Sequence, residues 1–177
     1  MKYVAFLRGI NVGGNAKVSM DELKEVFSEL GFRDVKTILN SGNVIFSSDE
    51  KNDLTIQQKI DKVVEQKFGR PIRNLVRSLS EIEQLIEADP FKGIEVTKDT
   101  RLYVTFLSEK HSMLKPDLAK IISEGVSITR VTEKEVCSVI IITPEKNTTD
   151  LMGFIEKVFG KNVTTRNWNT ILKVVKI

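Results

Sequence analysis

Apolar residues along the chain follow two rhythms that alternate. Residues 2–7 form a short apolar run that ends at a glycine-rich break and read as a strand. Ser19-Met-Asp-Glu22 then has the form of a capping box, in which the serine hydroxyl and the glutamate carboxylate satisfy the first free amides of a helix. Met20, Leu23, Val26, Phe27 and Leu30 follow at helical spacing, and Gly31 marks the end. Residues 34–39 and 44–48 read as strands joined by a tight turn, Asn40-Ser-Gly-Asn43. Helical spacing returns through Ile56, Ile60, Val63, Val64 and Phe68 and closes at Gly69, before a fourth strand at 72–76. The order is βαββαβ.

Ser80-Glu-Ile-Glu83 predicts a further capped helix that stops before Pro90, and the polar residues 92–99 read as a linker. The pattern then restarts: strand 102–107, helix 116–124, strands 127–131 and 136–143, helix 149–159, a short strand 162–165 and a closing helix 168–177. No matching residue identities accompany this second βαββαβ, so the repeat reads as one of architecture. Right-handed crossovers leave a ferredoxin-like antiparallel sheet, with both helices on one face, as the usual wiring. The expectation is an α+β fold of two ferredoxin-like subdomains packed together. They span 1–78 and 100–177, with an extra helix and linker at 79–99 and a helix at the C-terminal end. Tyr3, Ala5 and Leu7 alternate with Val4 and Phe6, and Val139-Ile-Ile-Ile142 is continuously apolar, so these strands are expected to be covered on both faces.

That wiring has a functional consequence. It places the loop after the first strand and the turn between the second and third at one edge of the sheet. The first loop carries Arg8, Asn11, Gly13, Gly14 and Lys17; the second carries Ser41 and Asn43. Glycines permit close backbone approach, while arginine, lysine and amide groups suit an anion. The loop is not a P-loop, because Asn15 stands where the lysine belongs, and no dinucleotide-type glycine pattern is present. Asp21 and Glu22 in the first turn of the following helix oppose a phosphate at that helix end. A second candidate is Thr165-Arg-Asn-Trp-Asn-Thr170, where Arg166 and Asn167 could face a ligand and Trp168 could stack on a planar ring. Structural readings stand beside each: the glycines as a plain turn with Arg8 in an ion pair, Ser41-Gly-Asn43 as a hairpin corner, and Trp168 as an anchor behind an asparagine cap.

Composition narrows the remaining classes. The net charge is +3, with lysine and acidic residues mixed along the chain, so any anion site is local rather than a broad basic stripe. The chain has one cysteine and one histidine, which excludes an internal disulfide and a zinc set. Cys137 sits in an apolar run and reads as a buried thiol; His111 sits in a polar stretch and reads as exposed, against a catalytic triad. No metal and no cofactor is expected. The N-terminal apolar run is too short for a signal peptide, and no stretch is long enough to span a membrane, so a cytoplasmic protein with no membrane partner is expected.

The motifs Leu7-Arg-Gly-Ile-Asn-Val-Gly-Gly14 with Lys17 and Met20, Ser41-Gly-Asn-Val44, Pro90-Phe91 and Thr164-Thr-Arg-Asn-Trp-Asn-Thr170 resemble a bacterial family known as domain of unknown function 1697. Ile38 stands where the family pattern has a tyrosine. The resemblance implies two ferredoxin-like halves and carries no activity with it. The reading is therefore a binder of an anionic ligand, a nucleotide or a nucleic-acid phosphate. Its site would combine Arg8, Asn11, Gly13, Gly14, Lys17, Ser41 and Asn43, joined by Arg166 and Asn167. Two other classes stay open: an enzyme using Lys17 or Ser41 in the same pocket, and a protein-interaction module with no ligand. The oligomeric state is not legible.

Overall fold

The computed structural model describes residues 1–11, 17–108, 126–143 and 148–177, the side chains of 148–152 excepted. Gly13, Gly14, His111 and the helix expected at 116–124 lie outside the described residues. The fold is mixed α+β, with two four-stranded antiparallel sheets and, among the described residues, five helices. The strands are β1 (Lys2–Leu7), β2 (Arg33–Ile38), β3 (Asn43–Ser47), β4 (Asn74–Ser78), β5 (Thr100–Leu107), β6 (Val126–Val131), β7 (Glu135–Ile141) and β8 (Val163–Asn167). The helices are α1 (Met20–Glu29), α2 (Asp53–Phe68), α3 (Leu79–Glu87), α4 (Thr148–Phe159) and α5 (Trp168–Val174). The chain divides into two compact units, one of residues 1–84 with 172–177 and one of residues 85–171.

In the first unit the sheet runs β2-β3-β1-β4. Tyr3, Ala5 and Leu7 of β1 join Leu23, Val26 and Phe27 of α1 and Ile56, Ile60 and Val64 of α2 in one buried cluster, so both helices cover the same sheet face. Helical periodicity therefore read the packing correctly. Val4, Phe6, Ile45 and Leu75, which alternate with these, are buried as well. Ser19 caps α1, although its hydroxyl lies a long 3.5 Å from the Glu22 amide; Asn52 caps α2 through the Thr55 amide at 3.1 Å. The capping box of α3 is shifted from its expected place. Ser78 and Glu81 form it, not Ser80 and Glu83: the Ser78 amide and hydroxyl donate to the Glu81 carboxylate at 2.8 and 2.9 Å. Ser78 ends β4, so the helix starts as soon as the strand stops.

The second unit has the sheet β6-β7-β5-β8, with β5 in the place of β1. Its buried cluster joins Leu107, Val126, Val136, Ile140 and Val163 of the sheet with Ile155 and Phe159 of α4. Aligning the two sheets corrects one expectation, because the repeat extends to residue identities. Tyr3-Val-Ala-Phe-Leu7 matches Tyr103-Val-Thr-Phe-Leu107, and the register pairs Val4 with Arg77 as it pairs Val104 with Arg166. Each of these arginines donates to the carbonyl of the residue before it, Val76 at 2.8 Å and Thr165 at 2.9 Å. Each is followed five positions later by a buried isoleucine, Ile82 and Ile171. Even the irregular edges correspond, with one register shift in β2 and one in β6.

Candidate functional site

The convergence of the two unusual loops in the first unit is present. The Leu7 amide donates to the Gly42 carbonyl at 2.7 Å, which joins the end of β1 to the β2–β3 turn. Asn11 does most of the tying. Its side-chain amide donates to the carbonyls of Val18, at 3.0 Å, and Asn40, at 2.9 Å. Its side-chain oxygen accepts from the Val18 amide at 2.8 Å. One side chain thus closes both ends of the glycine loop on each other and fastens them to the facing turn. Such short polar contacts to main chain are what asparagine at a positive φ, here 56°, is suited to make.

Beside this junction lies an open cavity of about 660 Å³. Asn11, Lys17, Ser19, Glu22 and Asn40 supply its polar lining, with Val18 and Met20 as the apolar part. Its size is that of small-molecule sites, and apolar wall with a few polar groups is their usual make-up. Leu39, next to the lining residue Asn40 and about half exposed, holds a positive φ of 57° that is unusual for leucine. Residues other than glycine at positive φ persist where surrounding structure holds them, and such places gather at ligand sites.

The expected site residues divide into groups. Asn11 and Lys17 line the cavity. Arg8 is half-buried next to it, with its amide donating to the Arg73 carbonyl at 2.8 Å, and is not part of the lining. Ser41 is exposed on the turn. Asn43 was expected to present its amide to a ligand; it is instead fully buried, its side-chain nitrogen donating to the Ile38 carbonyl at 2.9 Å and to the Ser41 hydroxyl at 3.0 Å. As the first residue of β3 it faces inward and holds the turn. Arg166 and Asn167 belong to the second unit and do not line this cavity. Arg166 is held against Thr164 and Thr165, and desolvation pushes its guanidinium down to about 10.

Ser19, Glu22 and Asn40 were missed as lining residues. Ser19 was read only as a cap, and Glu22 as a cap and as a charge that opposes a phosphate at the helix end, although a capping serine and glutamate also mark where the loop ends and the helix begins. Glu22 matters chemically, since it sets a carboxylate in the same cavity as Lys17 and suits a ligand that carries donors as well as negative charge. Among the described residues no group of three or more histidine, cysteine or acidic side chains could hold a metal ion, and no helix is long and apolar enough to cross a membrane.

Comparison with known proteins bears on the family and the fold. The family described as "Protein of unknown function (DUF1697)" matches residues 1–136. Among solved structures, the chain is similar to the conserved bacterial protein SP0830 from Streptococcus pneumoniae. The likeness has a TM-score of 0.71 at 23% identity and covers 99% of this chain and 97% of that one. It is a likeness of fold. No curated protein matches the sequence.

Proposed function

The chain belongs to the DUF1697 family, whose description assigns no activity, and on that premise we propose that its first unit binds a small phosphorylated, hydroxyl-bearing anion such as a nucleotide. The observation that carries the reading is the cavity beside the Asn11 junction, in which Lys17 and Glu22 stand with the amides of Asn11 and Asn40. Lys17 neutralises the anionic group. Glu22 accepts from sugar hydroxyls, a task for which an ionised carboxylate has four lone-pair sites and no competing donor. Asn11 holds the two loops together and Asn43 holds the turn, so Asn43 acts on the ligand by positioning the groups that touch it.

A concave site with one lysine favours a small ligand over a nucleic-acid backbone, which needs several phosphate contacts. Each sheet order, with the flanking strand beside the first and the second beside the third, supports reading both halves as ferredoxin-like units. On that reading the subdomains span 1–78 and 100–177, with 79–99 between them. The direct test is calorimetric titration of the full chain with ribose 5-phosphate and inorganic phosphate. Lys17→Ala should weaken ribose 5-phosphate about tenfold, the effect of losing one charge-assisted contact. Glu22→Gln should erase the preference for ribose 5-phosphate over phosphate. Equal affinity in the wild type and Lys17→Ala overturns the proposal; an oligonucleotide that binds with a steep salt dependence would replace it with nucleic-acid binding.

A further inference from the structure

The second unit contains an open cavity of about 610 Å³ that differs in chemistry from the first. One wall is aromatic. Phe91 and Trp168 lie 5.1 Å apart between ring centroids and 70° between planes, and both line the cavity. This edge-to-face contact fixes the indole by packing it against a buried ring, since Phe91 is only 7% exposed. A cavity-facing indole held in this way is a platform on which another flat ring can stack.

The opposing chemistry comes from the turn that leads into β5. Thr97 and Thr100 lock this turn: the Thr97 amide donates to the Thr100 hydroxyl at 3.0 Å, the Thr100 amide to the Thr97 carbonyl at 3.2 Å, and the Thr100 hydroxyl to the Glu95 carbonyl at 3.2 Å. The Asp99 carbonyl accepts from the Ile142 amide at 2.9 Å, which ties the turn down to the end of β7. Two cations sit on this frame and line the cavity, Lys98 and Arg101. One guanidinium nitrogen of Arg101 donates to the carbonyls of Lys98, at 2.6 Å, and Thr100, at 3.0 Å. The guanidinium is therefore oriented in advance by main chain and not by a carboxylate. Asn167 and Asn169 also line the cavity; the Asn167 side-chain oxygen accepts from the Asn169 amide at 2.9 Å, which turns its NH2 end away from that bond. Among the described residues the one acidic residue in the lining is Asp89.

We propose that this cavity is a second binding site, one that takes a nucleoside monophosphate, with the base against Trp168 and Phe91 and the phosphate on Lys98 and Arg101. The asparagine amides read polar atoms on the edge of the base, and Asp89 accepts from the ribose. Each part of such a ligand meets its own group: a flat face, a dianion, an edge of donors and acceptors, and a pair of hydroxyls. The volume lies within the range of sites for molecules of that size. Prior orientation of Arg101 lowers the ordering cost of binding, because the side chain is already held where the phosphate arrives.

The molecule supplies its own probe. Trp168 is the only tryptophan in the chain, so its fluorescence reports on this cavity. The full chain is titrated with AMP, adenosine and ribose 5-phosphate, followed by Trp168 emission and by calorimetry. AMP should shift the emission saturably, and adenosine and ribose 5-phosphate should each bind this site about tenfold more weakly or worse, since each lacks one of the two dominant contacts. Arg101→Ala and Lys98→Ala should each weaken AMP by about tenfold. Lys98 is exposed and its substitution leaves the turn intact, which covers the case in which Arg101→Ala disturbs folding. Lys17→Ala should leave the Trp168 response unchanged, so failure here and failure of the first-unit reading are separable. The proposal is overturned if AMP leaves Trp168 emission unchanged, if ribose 5-phosphate binds as well as AMP with the emission shifted, or if Lys98→Ala has the affinity of the wild type.

Discussion

The junction of the two loops rests on Gly42, and Gly42→Ala tests it directly. Gly42 has φ 74°, and a Cβ built there would lie 2.6 Å from Ile10 Cδ1, 2.9 Å from Ile10 Cγ1 and 3.0 Å from Leu7 Cβ. Two penalties follow. The left-handed conformation costs an L-residue roughly 1–2 kcal/mol. The collision adds roughly 1–3 kcal/mol, the cost of overpacking a filled site. Ile10 is 2% exposed and Leu7 1%, so neither has room to yield, and Leu7 Cβ moves only with its own strand. Gly9→Ala separates the two penalties. Gly9 has φ 66°, and among the described residues nothing lies within 4 Å of its Cβ position, so it carries the first cost alone. In urea unfolding followed by circular dichroism, Gly42→Ala should lose about 2–5 kcal/mol and Gly9→Ala about 1–2 kcal/mol. Hydrogen exchange gives a local reading. The Leu7 amide, bonded to the Gly42 carbonyl, should exchange faster in Gly42→Ala and at an unchanged rate in Gly9→Ala. If the two variants agree within about 0.5 kcal/mol, a spread ordinary for surface substitutions, the close contact of turn and loop is refuted.

Cys137 and Asp61 give two pH-linked predictions. Burial pushes the Cys137 thiol up to about 12, and the residue is fully enclosed, so thiol reagents should leave the native protein unlabelled at mildly alkaline pH and label it promptly in urea; fast native labelling would contradict that burial. Asp61, which accepts from the Asn74 amide at 3.1 Å and side chain at 2.7 Å, is raised above 3.8 chiefly by desolvation. The folded protein therefore holds this proton more tightly than the unfolded chain, and stability falls as pH rises from 3.8 through the raised native value. Asp61→Asn keeps an acceptor for Asn74 and removes the fall, so its urea midpoint should equal or exceed the wild type's at neutral pH, with the gain absent below 3.8. A midpoint that drops at neutral pH alone would show the charge to be stabilising.

What the sequence made legible follows from how local each signal is. Helices α1 and α2 and their buried faces were readable because caps and 3.6-residue spacing lie within one element. The start of α3 was misread by two residues because Ser78-Leu-Ser-Glu81 and Ser80-Glu-Ile-Glu83 fit the same capping pattern, and only the end of β4 chooses between them. The meeting of Asn11 with the β2–β3 turn could be reasoned from strand wiring alone. The inward turn of Asn43 could not, since nothing in Ser-Gly-Asn says which member enters the strand. The aromatic cavity was half visible: Asn167 and Trp168 stood out as a motif, while Lys98 and Arg101 passed for a polar linker and strand entry. Their relation to Trp168 exists only after β5 and β8 pair.

Two strands that share Tyr-Val-x-Phe-Leu, and two arginines at one register position, make the two sheets copies of one framework in sequence as well as in strand order. The two copies of this framework differ in their connecting segments. The first copy leaves its opening strand through Arg-Gly-Ile-Asn, the second through Ser-Glu-Lys-His. Whatever chemistry the glycine bend performs therefore belongs to one half of the chain alone, and the protein sets two different connecting surfaces on one repeated frame.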